Sequence, residues 1–227
     1  MIIDSNGIKV ERLREKDIEL VRTWRNSQFV KQYMNFRETI TPEMQMKWFK
    51  SIDNFNNLYF IIHYKNEKVG LGNIKNIDWE KREGEVGIFI SKQKFIGSIL
   101  PLVGSITLSD LVFQIFKFNR VLAQIRHDNL RSRKLSTLMG SKLAEGQEGK
   151  ESQLYYLTRE SFYKSFNKFF ILMKPMGFSR GQMKIVFDKE DIQNGIMEKM
   201  SELIESSTLN FERTELDGEI IYEEKSK

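Results

Sequence analysis

The sequence predicts an α/β (α+β) fold in which a mixed, mostly antiparallel central sheet is flanked by helices. Three strand-like stretches, 58–64, 69–78 and 83–91, follow one another across short polar connections, the pattern of an antiparallel meander. A helical stretch at 100–118 then leads to another strand-like run at 121–125, and a helix between two neighbouring strands makes them parallel. The 227 residues suit one such domain with a small appendage.

The elements follow in order. Residues 8–13 alternate apolar and polar side chains, the period of a strand. Asp17 stands where an N-cap belongs, before a helix carrying Ile18, Val21 and Trp24 on one face. Thr41-Pro42-Glu43 opens a second helix: a hydroxyl cap, a proline where no N–H is needed, and an acid facing the helix dipole. Met44, Trp48, Phe49 and Ile52 form its apolar stripe. In 100–118, Leu108, Leu111, Val112, Ile115 and Phe116 share a face. A short helix at 130–139 stops at Gly140, and 154–162 reads as the last strand.

The chain has no cysteine, which excludes disulfides and thiolate chemistry. His63 and His127 lie far apart, so no metal site is expected. No basic-then-apolar leader opens the sequence and no apolar run approaches roughly 20 residues, so the expected place is the cytoplasm, away from any membrane. Residues 1–177 hold 29 basic and 19 acidic side chains, a balance of +10, whereas the remainder holds 7 against 12, or −5. A basic body suits an anionic small molecule. The basic residues are scattered and not interleaved with aromatics, which argues against nucleic acid.

Pro175 and Gly177 break the pattern, so residues 1–174 read as one domain and 175–227 as an acidic extension. Within the extension, Ile192, Ile196, Met200 and Ile204 mark an amphipathic helix over 188–206. Asp217-Gly218 reads as a turn between strands 209–216 and 219–222. The helix needs a surface to cover its stripe, either the chain's own body or a second copy in a homo-oligomer.

Several stretches resemble the GNAT N-acetyltransferases. Val21-Arg-Thr-Trp-Arg-Asn-Ser27, Val30-Lys-Gln-Tyr-Met34, Ile40-Thr41 and Trp48-Phe49 look like one branch, which acetylates nucleotide-linked amino-deoxysugars of the pseudaminic acid type. Glu85-Val-Gly-Ile-Phe-Ile90, Asn129-x-x-Ser132-x-x-Leu135, Leu138-Met-Gly140 and Glu145-Gly146 look like the fold's later half. The resemblance covers about residues 7–165. It implies acetyl-CoA as cosubstrate, no metal, and direct attack of an amine on the thioester in a ternary complex. Gly87, Ile88, Phe89 and Ile90 would hold the pantetheine arm, Gly97 and Ser98 the pyrophosphate, and Asn129 and Ser132 further parts of CoA. Glu85 would take the proton of the amine. Ser136 stands where relatives place a tyrosine that protonates the leaving thiolate, with Tyr155 and Tyr156 nearby. Trp24, Arg25, Asn26, Tyr33, Met34 and Trp48 would face the acceptor, a sugar nucleotide.

The sequence departs from the family at the phosphate loop. Ile96, Ile99 and Pro101 occupy positions usually held by Arg or Gln and by small residues, and Gly104-Ser105 is an alternative cradle. Two other functions remain open: acetylation of protein N-termini, as in the ribosomal-protein type, and a binding module of the same fold that has lost catalysis.

Overall fold

The computed structural model describes residues 1–95, 97–173 and 182–225, with backbone only at 169, 172 and 173. Ile96, Pro175, Gly177 and the boundary expected at 174/175 lie outside the described residues. Asn6 and Gly7, at φ 56° and 78°, make the tight turn between β1 (Ile2–Ser5) and β2 (Ile8–Arg12). The alternation at 8–13 marks only the second of these strands; the Asn-Gly pair was the signal for the first.

On one side of the sheet lie α1 (Ile18–Asn26), the single turn α2 (Gln28–Lys31) and α3 (Pro42–Ile52). Thr41 caps α3 as expected, its hydroxyl accepting from the Met44 N–H at 3.2 Å. Asp17 does not cap α1: its carboxylate takes the Lys68 ammonium at 2.5 Å instead, because a charged partner outbids a backbone N–H.

The meander is present as β3 (Leu58–Tyr64), β4 (Glu67–Asp78) and β5 (Glu83–Ile90). The crossover helix is α4 (Leu100–Asp110), buried nearly all round and continued by a wider π-type turn at Leu111–Ile115. It leads to β6 (Arg120–Arg126), α5 (Leu130–Leu138), β7 (Lys142–Leu143) and β8 (Ser152–Thr158). The strand expected to reach 162 ends at Thr158, where α6 (Arg159–Met173) begins. The hydroxyls of Thr158 and Ser161 each accept from the other's backbone N–H at 3.2 Å, a capping box, and Phe162, Phe166 and Phe170 stack at helical spacing.

Beyond the undescribed stretch come β9 (Lys184–Phe187), α7 (Lys189–Gln193), α8 (Ile196–Glu205), β10 (Phe211–Leu216) and β11 (Glu219–Glu224). The single helix expected over 188–206 is two, broken at Gly195, whose φ of 74° no continuous helix contains. The hairpin turn at Asp217-Gly218 is as expected.

The eleven strands among the described residues form one sheet, in the order β10-β11-β9-β1-β2-β3-β4-β5-β6-β8-β7. Every pairing is antiparallel except β5 with β6. The pleat sends alternate residues of β3 into two apolar clusters. Phe60 and Ile62 join the larger with Val103, Ile106, Phe113 and Phe162, and Ile61 joins the smaller with Val21, Trp24 and Phe49. Ile196, Met200 and Ile204 of α8 are buried in the larger cluster beside Ile185, Phe187 and Tyr222. Of the two surfaces expected to cover the stripe, it is the chain's own body that covers Ile196, Met200 and Ile204.

Among the described residues no helix is long and apolar enough to cross a membrane, and no group of acidic or histidine side chains is placed to hold a metal ion.

Candidate active site

The parallel pairing of β5 and β6 lasts three residues, Glu83 to Glu85 against Arg120 to Leu122. Beyond it β6 stays on β8 through Arg126, and β5 stays on β4 through Ile90. The two strands part, leaving one edge of β5 without a strand partner from Val86 onward. Unpaired backbone groups at a strand edge are ready hydrogen-bonding sites for an extended ligand. A cleft of about 410 Å³ opens at this divergence.

Gly87, Ile88 and Phe89 line the cleft, as do Asn129, Ser132 and Ser136. Ile90 does not; it pairs with Gly70 at the far end of β5. Asn129 begins α5, its side-chain oxygen accepting from the Ser132 N–H at 3.1 Å, so capping and cleft lining coincide in one residue. Gly97 and Ser98 lie outside the cleft. The Ser98 hydroxyl donates to the Phe95 carbonyl at 2.8 Å and accepts from the Leu100 N–H at 3.2 Å, which makes it the device that starts α4. Gly104-Ser105 is not a loop. Gly104 is buried within α4, where a Cβ would meet Ile88 Cδ1 at 2.6 Å, and the Ser105 hydroxyl donates to the Pro101 carbonyl. Its lack of a side chain lets the helix approach the strand, while Ser105 lines the cleft from within the helix and not as a loop.

Glu85 sits at the point of divergence and pairs with Lys75 at 2.8 Å, directly across from it on β4. Tyr59 lies close by: burial pushes its phenol up, the Glu85 charge adds to that, and Arg25 opposes both. Trp48 packs edge-on against Tyr59, ring centres 5.1 Å apart. Arg25 lines the cleft too, with its Nε buried and without a hydrogen-bond partner among the described residues; burial holds its guanidinium below the ordinary arginine value. Tyr33 and Met34 line the outer wall with Asn35 and Phe36. Asn35 donates to the Ser152 hydroxyl at 3.1 Å, and Arg37 lies 3.7 Å from Asp128, so this loop reaches across to the far side of the opening.

Two expected acceptor residues are elsewhere. Trp24 is buried edge-on against Phe89 in the smaller cluster. Asn26 clamps the Ile40 backbone, donating at 2.9 Å and accepting at 2.8 Å, and so fixes the loop that carries Tyr33 and Met34. Of the two tyrosines near Ser136, only Tyr155 lines the cleft; its hydroxyl accepts from Arg133 and donates to Gln153. Tyr59, Asn73 and Lys75 were missed by sequence reasoning. Their signal was polar side chains at alternate positions of otherwise apolar strands.

Residues 8–142 match the family model of the acetyltransferase (GNAT) domain. Among solved structures, a domain from Methanocaldococcus jannaschii DSM 2661 aligns with a TM-score of 0.59 and 22% identity over 68% of this chain and 99% of its own. Campylobacter jejuni N-acetyltransferase PseH, in complex with acetyl coenzyme A, aligns with a TM-score of 0.51 and 18% identity over 67% and 99%. The spermidine N-acetyltransferase of Vibrio cholerae, in complex with CoA and spermine, gives 0.59 and 15% over 69% and 98%. At these identities the likeness is one of fold. A search of curated sequences found no match.

Proposed function

The chain belongs to the acetyltransferase (GNAT) family and is an acyltransferase that draws on acetyl-CoA; on that footing we propose that its acceptor is the amino group of a nucleotide-linked amino-deoxysugar. The pantetheine arm lies along the free edge of β5, which brings the thioester to the divergence beside Glu85. Glu85 takes a proton from the ammonium, directly or through one water, and the neutral amine attacks the carbonyl carbon. The C–S bond then breaks and the thiolate takes a proton, with the Ser136 hydroxyl and Tyr155 on that side of the cleft. Holding both reactants in one cleft supplies much of the rate, so few catalytic groups are required.

Arg25 carries the choice of acceptor. It is a half-buried cation with an unpartnered Nε, beside the aromatic wall of Trp48 and Tyr59. A sugar offers an apolar ring face to such a wall, and its diphosphate offers the anion that a guanidinium seeks. The Vibrio enzyme's spermine is a polycation. Here Glu85 is the one carboxylate lining the cleft among the described residues, it is already paired with Lys75, and Arg25 and Arg126 line the same space.

The test follows CoA release with a panel of UDP- and dTDP-linked amino sugars beside spermidine and a peptide library. Turnover on a sugar nucleotide is expected, and Arg25→Met should raise its KM by about 10- to 100-fold while acetyl-CoA affinity holds. Turnover on peptides or spermidine alone would overturn this reading.

A further inference from the structure

Asn73 is the second polar group in the cleft left without a partner. Its Nδ2 is buried and donates no hydrogen bond among the described residues. The strand register puts Tyr59 opposite Asn73 and Asn73 opposite Gly87, a row running across β3, β4 and β5 on the face that carries Lys75 and Glu85. Along β4 the amide is two residues, about 7 Å, from the Lys75–Glu85 pair. Its neighbour Gly87 belongs to the stretch of β5 that has lost its partner on β6. A Cβ on Gly87 would lie 2.9 Å from Asn73 Oδ1, so the glycine leaves the carboxamide free to lie over the strand at this point. An amide donor buried without an acceptor is costly in a folded chain unless a ligand completes it.

We propose that the Asn73 carboxamide donates a hydrogen bond to the thioester carbonyl oxygen and to the oxyanion that forms from it. This rests on the acetyl-transfer reading above. When the amine adds, the C–N bond forms and the carbonyl π pair moves onto oxygen, where the Asn73 N–H meets the new negative charge. When the intermediate collapses, that pair re-forms the C=O bond, the C–S bond breaks and sulfur departs with its pair as thiolate. Glu85 holds the proton taken from the ammonium before attack, and the second proton, shed by the cationic nitrogen of the intermediate, passes directly or through one water to the departing thiolate. Asn73 exchanges no proton; its hydrogen bond to the carbonyl strengthens as negative charge develops on oxygen, so its loss acts mainly on turnover and little on binding. Arg25, Tyr59 and Trp48 form the acceptor's wall, whereas Asn73 lies over the strand that holds the other reactant.

The experiment is infrared difference spectroscopy of acetyl-CoA labelled with ¹³C at the thioester carbonyl, run with steady-state kinetics on the full chain. In the wild type the bound carbonyl band should lie below that of free acetyl-CoA. Asn73→Leu, close in volume, and Asn73→Asp, close in shape, should each return the band toward the free position. Both should lower kcat by about 10²–10³-fold with the KM values changed little, the loss typical of one oxyanion donor. Unchanged acetyl-CoA affinity shows that the variants are folded, and the aspartate serves if the leucine destabilises the strand. A band at the same position in wild type and variants, or a raised acceptor KM at constant kcat, overturns the assignment alone. Absence of any bound acetyl-CoA signal in the wild type overturns the acetyl-transfer reading and this assignment with it.

Discussion

Glu85 owes its position to the register of two strands. Lys75 stands directly across the ladder and holds the carboxylate by an ion pair at 2.8 Å, at the last residue where β5 still has β6 beside it. Replacing it by glutamine keeps the shape and removes the carboxylate proposed as the base. Glu85→Gln should reduce kcat by roughly 10²–10⁴-fold without changing the circular dichroism spectrum; wild-type turnover at all pH values would make Glu85 a structural residue. Tyr59 is expected to behave differently. Burial and the Glu85 charge both push its phenol up, so it stays protonated through neutral and mildly alkaline pH. Tyr59→Phe should therefore alter the rate by a factor independent of pH, and a shifted alkaline limb in its pH–rate profile would show that the phenol titrates. At this scale the sequence was readable where residues sat in recognisable runs: Glu85, Arg25, Tyr33, Met34, Trp48, Asn129, Ser132 and Ser136 all line the cleft. Tyr59, Asn73 and Lys75 were not, because only strand pairing brings them together, Tyr59 to Asn73 and Asn73 to Gly87 across 14 positions of sequence and Lys75 to Glu85 across 10.

Among the elements, α8 is the clearest case of a stripe serving the chain's own core. Met200 is fully buried, whereas Ile192 on α7 is 36% exposed. Met200→Ala should cost about 2–5 kcal/mol in urea unfolding, against a few tenths for Ile192→Ala. Equal effects would mean that the stripe is not seated as described. Arg14 ties this region to the N-terminal strands, reaching Asp188 at 2.7 Å and Asp191 at 3.2 Å. Burial alone would raise the Asp188 carboxyl, but the Arg14 hydrogen bond and the Asp191 N–H hold it below its ordinary value of 3.8. The sign follows: a depressed carboxyl contributes stability above that ordinary value and loses it as pH falls through the lower folded one. Arg14→Met should lessen the loss of stability between neutral pH and that acid window; an unchanged acid transition would remove the pair from the account. The meander, the crossover and the C-terminal hairpin were legible because alternation, helical stripes and an Asp-Gly turn all act over neighbouring residues. β1 and β9, of four residues each, are too short to display a period, and α6 hid because the aromatic run of 162–170 suits either a strand or a helix until its spacing of four is noticed.

At the scale of the molecule, the acidic tail extends the sheet. β9 pairs with β1, β11 with β9, and Ile185, Phe187 and Tyr222 share a cluster with Ile3 and Ile8. A chain ending at residue 173 would leave the outer edge of β1 without a partner and uncover the apolar side chains beneath α8. It should therefore melt well below the full chain or aggregate. A truncated protein with an unchanged Tm and full acetyl-CoA binding would show that 182–225 is a separable appendage.

Three residues of parallel pairing are a narrow join for a sheet of eleven strands. The sheet falls into two leaves joined at those three residues, one running from β10 to β5 and the other from β6 to β7. On the proposed placement, a pantetheine arm in the gap would bond to the inner margin of one leaf like a temporary further strand, so the cosubstrate would lace the join during each cycle and CoA release would unlace it. Amide hydrogen exchange should record this. The N–H groups of residues 86–90 that face the gap should exchange fast in the free protein and slow markedly once CoA is bound, while those of β3, buried on both faces, exchange slowly in either state.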